Sequence, residues 1–531
     1  KRIRLASWYK FMRVQELIFK LNKNRIFTAF LLMVVLLSSW QINVFKNDFS
    51  MSIHHDEFKK VGFLQNNSQD FMHPILMLQS TRLLNPEIEG IKVPQEVAEK
   101  GRAVSAIYGA LAMAFFFLLI NFVLGNWLAV LIALAVAFSP MVVLHAHYLK
   151  EDIYLLFGLM ITLVAHYKFI EKPNAKGFVL FALAIGICMS AHYKSLAYAL
   201  VYGLATLIVS SKIRVRYLVL GPAMLAIGAL IFSLINFPIY DDFGRFWSGF
   251  NFERNHAIDG HTVKMWPTAM WFSFHFKKSL IVGLGLVPSL LGLAGILISA
   301  IKWKALHKAE KLLLLFTVTF YFIVELSPLK PHPGYIRYAL PVVPGLLYFA
   351  YKLFEFTLQL LKLNKAWAAI PIVALAVFEL NFSLKHLNGF DTDTRHIAED
   401  KYEAHKGKVL FEMYTNDDGS GIWSIGRLDP DTITKPYSLF VLSNFIYDRY
   451  RLGADLKNQN YELYKFAEVY KALWELPYQE IKGPFGPFGF HNPTIRFVNV
   501  EGVDLTKIYK EARERGLLKY QKLAPQKANS K

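Results

Sequence analysis

Residues 105–144 read SAIYGALAMAFFFLLINFVLGNWLAVLIALAVAFSPMVVL. Two uncharged apolar runs, 105–124 and 127–144, are joined by the dipeptide Gly125-Asn126. At 1.5 Å of rise per residue each run is about as long as the ~30 Å of hydrocarbon in a bilayer. A pair of such runs with so short a joint is a helical hairpin across a membrane, and the fold class that follows is a polytopic α-helical membrane protein.

Working outward from the hairpin, further spans are expected near 27–45, 152–169, 177–191, 195–211, 217–237, 279–301, 312–327, 337–361 and 366–384. With 104–124 and 127–147 the count is eleven, within a range of 11–13. The 531 residues are 54% hydrophobic and 19% charged, unlike an ordinary soluble enzyme. A single cleaved signal peptide cannot account for so many runs.

The formal charge of +19 raises the question of nucleic acid, and the placement of the charge answers it. Eight Lys or Arg residues fall within positions 1–26, and further clusters occupy KFIEKPNAK (168–176), SKIRVR (211–216), KWKALHKAEK (302–311) and KLNK (362–365). All are short connectors on one side of the membrane, which is the positive-inside pattern and not a nucleic-acid footprint. The expected organisation is a cytoplasmic segment 1–26, a transmembrane bundle 27–384 with outer loops 46–103 and 238–278, and an extracytoplasmic domain 385–531. In that last domain KVLFEMYT, GIWSIGRL and TIRFVNVEG read as strands, NYELYKFAEVYKALWEL and LTKIYKEARERGLLKY as helices, giving a small mixed α/β unit. The lone cysteine, Cys188, provides no disulfide framework.

Polar residues gather at the outer ends of the spans. HHDE (54–57) follows the first exit, with Asp56 and Glu57 able to sit at the water interface. A solvated turn is the plain alternative. HAHYLKED brings His145, His147, Lys150 and Asp152 to the same side, where Asp152 is also a natural helix N-cap. Next come His192, Tyr193 and Lys194, and finally Lys330, His332, Arg337 and Tyr338. Single cations near a bilayer often snorkel. Three on the outer side, against the positive-inside direction, instead ask for an anion, and lipid phosphate is the abundant one. Carboxylates to remove a hydroxyl proton, with fixed cations to hold a phosphate, suit glycosyl transfer from a polyprenyl-phosphate sugar. A transporter or lipid flippase is the main alternative, but neither repeated halves nor broken mid-span helices are visible.

The ordered segments also resemble a family, the lipid-carrier-dependent glycosyltransferases of the GT-C fold, in particular the protein O-mannosyltransferase and aminoarabinose-transferase group. HHDE resembles the acidic pair of the first outer loop. DFMHPILMLQSTRLL (70–84) is similar to the HPPL stretch, although a double proline is missing. GRAVSAIYGAL (101–111) carries Arg102, SPMVVLHAHYLKED ends in the second acidic position, and GYIRYALPVVPG (334–345) is similar to an RYLLP element.

The resemblance implies Asp56 as general base, with Glu57 and Asp152 as further acidic residues. It implies Arg337, Lys194, Lys330 and Arg102 around the donor phosphate, and His54, His55, His147, His192, Tyr193 and Tyr338 as lining. No cofactor is fixed by these residues. A divalent metal stays open, with His54, His55, His145 and Asp152 as candidate ligands. Expected partners are a polyprenyl-phosphate-linked sugar, an acceptor protein, lipid or glycan, and membrane lipids, but no nucleic acid. The expected location is the plasma (inner) membrane, with a cytoplasmic amino terminus.

Overall fold

The structure, a computed structural model, describes residues 25–208, 211–259, 271–327 and 334–523, apart from 404, 406, 417–419, 431–432, 434–435, 456–460 and 484–489. The expected cytoplasmic segment 1–26 therefore lies almost wholly outside the described residues, as do Lys330 and His332.

Helix α1 (Arg25–Val44) leads into an outer segment that holds two short helices, α2 (Asp56–Gln65) and α3 (Leu76–Leu84). Helix α4 (Pro94–Asn121) opens with a proline, whose missing N–H costs nothing in a first turn. After Gly125 come α5 (Asn126–Ala137) and α6 (Pro140–His147), set at 59° to each other. The bend has a local cause: Pro140 bars the preceding residue from helical geometry, and Ser139 adopts φ −68°, ψ 137°. The chain continues through α7 (Asp152–Glu171), α8 (Ala175–Ala191), α9 (Tyr198–Ala205), α10 (Ser211–Ile235) and the outer helix α11 (Phe243–Asp259). Then α12 (Ile281–Leu284) and α13 (Leu286–Ile301) turn through a 117° bend at Gly285, whose φ of +89° an L side chain rarely adopts. Helices α14 (Lys308–Leu326), α15 (Val343–Leu360) and α16 (Ala369–Asn388) complete the bundle.

Each of the eleven expected spans overlaps helix. Among the described residues, six helices are long and apolar enough to cross a membrane, or eight if each bent pair is one span. The difference lies in α8 and the helix over Tyr193–Ile208, which are apolar but short, and in α14, whose first turn is charged. Burial separates inner from outer helices. The apolar window of Ile336–Leu360 is 89% buried, that of Arg214–Ile235 only 18%, so the latter needs an apolar solvent around it. Val219, Leu230, Val377 and Leu37 are similarly exposed. The chain is a multi-pass membrane protein.

Helix contacts are made close by small residues, as expected where lipid removes the usual hydrophobic drive. Helix α13 lies against α15 with Gly295 so near the Phe349 carbonyl that an added Cβ would fall 1.8 Å from its oxygen.

The carboxy-terminal domain begins with α17 (Thr394–Glu403) and holds a four-stranded sheet. Strands β1 (Val409–Phe411), β2 (Leu439–Ser443), β3 (Tyr478–Ile481) and β4 (Ile495–Asn499) are ordered β1-β2-β4-β3, with β1 and β2 parallel and the other pairings antiparallel. Helices α18 (Asn444–Asp455), α19 (Tyr461–Leu473) and α20 (Leu505–Leu523) accompany it. The stretch 421–428 is not a strand as its alternation suggests. It makes one bridge, Glu412 to Ile422, and then a turn, because buried Glu412 accepts the Ile425 N–H at 3.0 Å. The domain sits on the outer loop: Phe390 stacks on Phe49 at 4.1 Å, and Phe490 meets His54 at 4.2 Å.

Overpacking at the α13–α15 crossing is testable. Gly295→Val should destabilise the protein by about 1–3 kcal/mol, seen as a lowered thermal midpoint in detergent, whereas Gly203→Ala, where nothing lies within 4 Å of the added carbon, should not.

Candidate active site

The acidic pair opens α2, a position that favours carboxylates because the helix dipole is positive there. Neighbouring helix positions point about 100° apart, and the two residues take opposite roles. Glu57 is fully buried and pairs with Arg102 of α4, whose Nε donates to Oε1 at 3.2 Å. The same oxygen accepts the Leu149 N–H at 2.7 Å. Arg102 also donates to the carbonyls of Asn47 (3.0 Å) and Phe49 (2.6 Å). Its donors are consumed by the protein, so neither Glu57 nor Arg102 faces the cleft.

Asp56 does face it, with a side chain 42% exposed. Its Oδ2 lies 3.0 Å from Lys150 Nζ and 3.4 Å from Arg337 Nη1. Behind Lys150 stands Glu151, 1% exposed, which reaches Lys150 at 3.3 Å and also binds Lys60. The result is a row of alternating charge, Lys60, Glu151, Lys150, Asp56, Arg337, drawn from α2, the turn before α7 and the stretch before α15. Burial pushes the Asp56 carboxyl up, but Lys150, His54 and Arg337 more than offset it and hold it well below the usual range. For Lys150, burial pulls down and Asp56 with Glu151 prevail, so it stays charged.

A cavity of about 190 Å³ unites Asp56, Asp152, Lys150, Lys194, Arg337 and Tyr338. His192 also lines it. Lys194 Nζ sits 3.4 Å above the Tyr338 ring, a cation–π contact. Beside this polar chamber runs an apolar groove of about 300 Å³, lined by Tyr193, Leu196, Phe250, Ile323 and Val324 and sharing Lys194 and Tyr338 with the chamber. Sequence reasoning missed Lys60, His73, Glu151 and Glu253 as members of this region. Glu253 lies in the outer helix α11, and only its place in space beside Lys194 and Arg337, 59 and 84 residues away in sequence, singles it out.

His54, His55, His145 and His147 stand outside this cavity. His54 is buried between Tyr148 (4.6 Å) and Phe490 (4.2 Å), and burial lowers its pKa to about 3. His55 packs near Tyr414 of the carboxy-terminal domain, His145 Nδ1 is bound to the Met141 carbonyl at 2.6 Å, and both ring nitrogens of His147 meet backbone carbonyls. His54, His55, His145 and Asp152 therefore do not converge as a donor set. Among the described residues no three His, Cys, Asp or Glu side chains are grouped to hold a metal ion.

Residues 90–237, which include Arg102, Lys150, Asp152 and Lys194, match the family model described as dolichyl-phosphate-mannose-protein mannosyltransferase. The fold is similar to ArnT from Cupriavidus metallidurans bound to undecaprenyl phosphate, with 15% identity, TM-score 0.50, and 88% of this chain and 97% of that chain covered. Against the same protein in the apo state the values are 15%, 0.51, 90% and 98%. The chain has the fold of ArnT, and residues 90–237 within it carry the mannosyltransferase family match. Its likeness is to the protein O-mannosyltransferase and ArnT kind. Among curated protein sequences nothing matches it.

The Glu57–Arg102 pair has a structural signature that can be checked. Breaking a buried pair from one side costs about 3–5 kcal/mol. Arg102→Met should lower the thermal midpoint sharply, and Arg102→Met with Glu57→Leu should recover much of the loss. A phosphate ligand held by Arg102 would instead show a donor-affinity defect at unchanged stability.

Proposed function

We propose that this protein is a glycosyltransferase that moves a sugar from a polyprenyl-phosphate carrier to an acceptor hydroxyl at the outer leaflet, with inversion, the acceptor being a protein, lipid or glycan. The observation that carries the reading is one cleft in which Asp56 faces Lys150 and Arg337, next to Asp152 and Lys194, with an apolar groove opening from Lys194. The groove suits an isoprenoid and the cations a phosphate, and both belong to one ligand. ArnT in the similar structure holds undecaprenyl phosphate, which supports the donor class. The amino terminus would be cytoplasmic and the carboxy-terminal domain outside the plasma (inner) membrane, in keeping with the basic connectors.

In the proposed reaction Asp56 takes the proton of the acceptor hydroxyl as the acceptor oxygen attacks the anomeric carbon. The bond between that carbon and the phosphate oxygen breaks, its electron pair staying on the phosphate. The added negative charge falls to Arg337, Lys150 and Lys194, which need not reorganise to meet it. The phosphate leaves without protonation, so one base is enough. Asp152, 6% exposed at the cleft wall, shares a cavity with Lys194 and Arg337 and balances their charge. No step needs Glu57 or Arg102, and among the described residues no His, Cys, Asp or Glu side chains are grouped as a metal site.

Asp56→Asn should lower kcat by about 10²-fold or more in membranes supplied with a polyprenyl-phosphate sugar, while thermal stability holds; full activity would refute the base assignment. Arg337→Gln should raise the donor KM at least about tenfold, as expected for loss of a charge-assisted phosphate contact. Because Asp56 is held well below the usual carboxylate range, it is ionised at neutral pH. The acid limb due to it should therefore appear only below about pH 4, with kcat flat above that through pH 7.

A further inference from the structure

Glu151 has no part in the scheme above, yet it is more thoroughly buried than any carboxylate lining the cleft, at 1% exposure. It touches both lysines of the charged row and no backbone donor: Lys60 on one oxygen, Lys150 on the other at 3.3 Å. Lys60 and Lys150 are themselves 6–7% exposed. A long flexible lysine side chain, so buried, would cost several kcal/mol without a fixed counter-charge. Lys150 has two such anchors: Asp56, nearer at 3.0 Å but partly in water, and Glu151, at 3.3 Å and shut away from water.

We infer that Glu151 is a positioning residue that fixes the Lys150 ammonium over Asp56, so that the cleft carboxylate is held ionised and aimed at the acceptor. This rests on the reading of Asp56 as the base. The plain alternative is that Glu151 only neutralises Lys60 and serves stability. The two differ in sign. If Glu151 holds Lys150 in place, its removal lets Lys150 withdraw, and Asp56 loses its nearest cation. If it only balances charge, its removal takes one negative charge from the surroundings and leaves Lys150 where it was, which favours the ionised form of Asp56 further.

The other groups around Asp56 do not reverse this. From the stretch before α15 comes Arg337, from the turn before α7 Asp152, from the segment before α9 Lys194, and from α11 Glu253 and His256. On its own segment lie His54, Lys59 and Lys60, and from the carboxy-terminal domain Arg395 and Arg449 reach the neighbouring His55. Among the described residues only Lys150 and Arg337 are within ion-pair distance of Asp56, and Glu151 contacts only the first of them.

The test is the pH–rate profile of full-length protein in membranes, with kcat and donor KM measured separately for Glu151→Gln, Lys60→Met and the pair combined. Positioning predicts that Glu151→Gln lowers kcat tenfold or more, leaves donor KM within about threefold, and moves the acid limb up by at least one pH unit. The double variant should do the same, because removing Lys60 does not restore Lys150. Lys60→Met alone should leave the limb in place, since Glu151 still holds Lys150. The inference is overturned if the limb of Glu151→Gln is unmoved or falls, or if Lys60→Met in the double variant restores kcat. Should Glu151→Gln fail to fold, Glu151→Asp, shorter by one carbon and still charged, is expected to show a smaller shift of the same sign, and no shift there also overturns it. If Asp56→Asn keeps its activity, the base assignment fails first and separately.

Discussion

Arg102 is the constraint on which the outer end of the bundle depends. A fully buried guanidinium has to be matched where it sits, and it is matched by Glu57 together with the carbonyls of Asn47 and Phe49. Those contacts pull the first outer loop down onto α4. Once Glu57 is committed inward, helix geometry sends Asp56 outward. The Leu149 N–H, bound to the same Glu57 oxygen, sets the segment that carries Lys150, Glu151 and Asp152. One buried pair thus places both acidic walls of the cleft, and neither of its members enters it.

Much of the bundle was legible because span length is a physical requirement that composition reveals. The hairpin at 105–144 and the flanking helices stand where apolar length put them. The bends were harder to see. Pro140 and Gly285 are ordinary letters within apolar runs, and only the conformations of Ser139 and Gly285 show the chain turning there. In the carboxy-terminal domain β2 was missed because LFVLS is apolar throughout, which fits a central strand and a buried helix equally well. Its neighbour GIWSIGRL alternates well enough for a strand, yet it is drawn into a turn by a side chain, Glu412, that competes for its backbone.

At the site, residues that interrupt apolar sequence at one depth were legible as a group: Asp56, Asp152, Lys194 and Arg337 come from separate segments and line one cavity. What could not be read was orientation. HHDE contains four titratable side chains in a row, and only Asp56 lies in the cavity. His54 is held between aromatic rings, His55 turns toward Tyr414, and Glu57 goes to Arg102. Adjacent letters do not share a face, and which face is buried depends on a partner 45 residues away. Glu151 was hidden for the same reason, standing between two residues that read as functional.

The cleft therefore faces an electrostatic problem that its own carboxylates solve. Cations set aside for a phosphate would repel one another in a partly buried chamber if nothing balanced them. Here Asp56 and Glu151 balance Lys150, and Asp56 also meets Arg337. In the proposed reaction an arriving phosphate shares those cations with Asp56, which Lys150 and Arg337 go on facing. The negative charge of the phosphate, added beside Asp56, opposes the ionised carboxylate and makes it a stronger base. Proton abstraction would then be favoured only with the donor in place, and a carboxylate held acidic in the free protein would suit the loaded one. A lysine tethered from behind by Glu151 would stay over Asp56 as the phosphate enters.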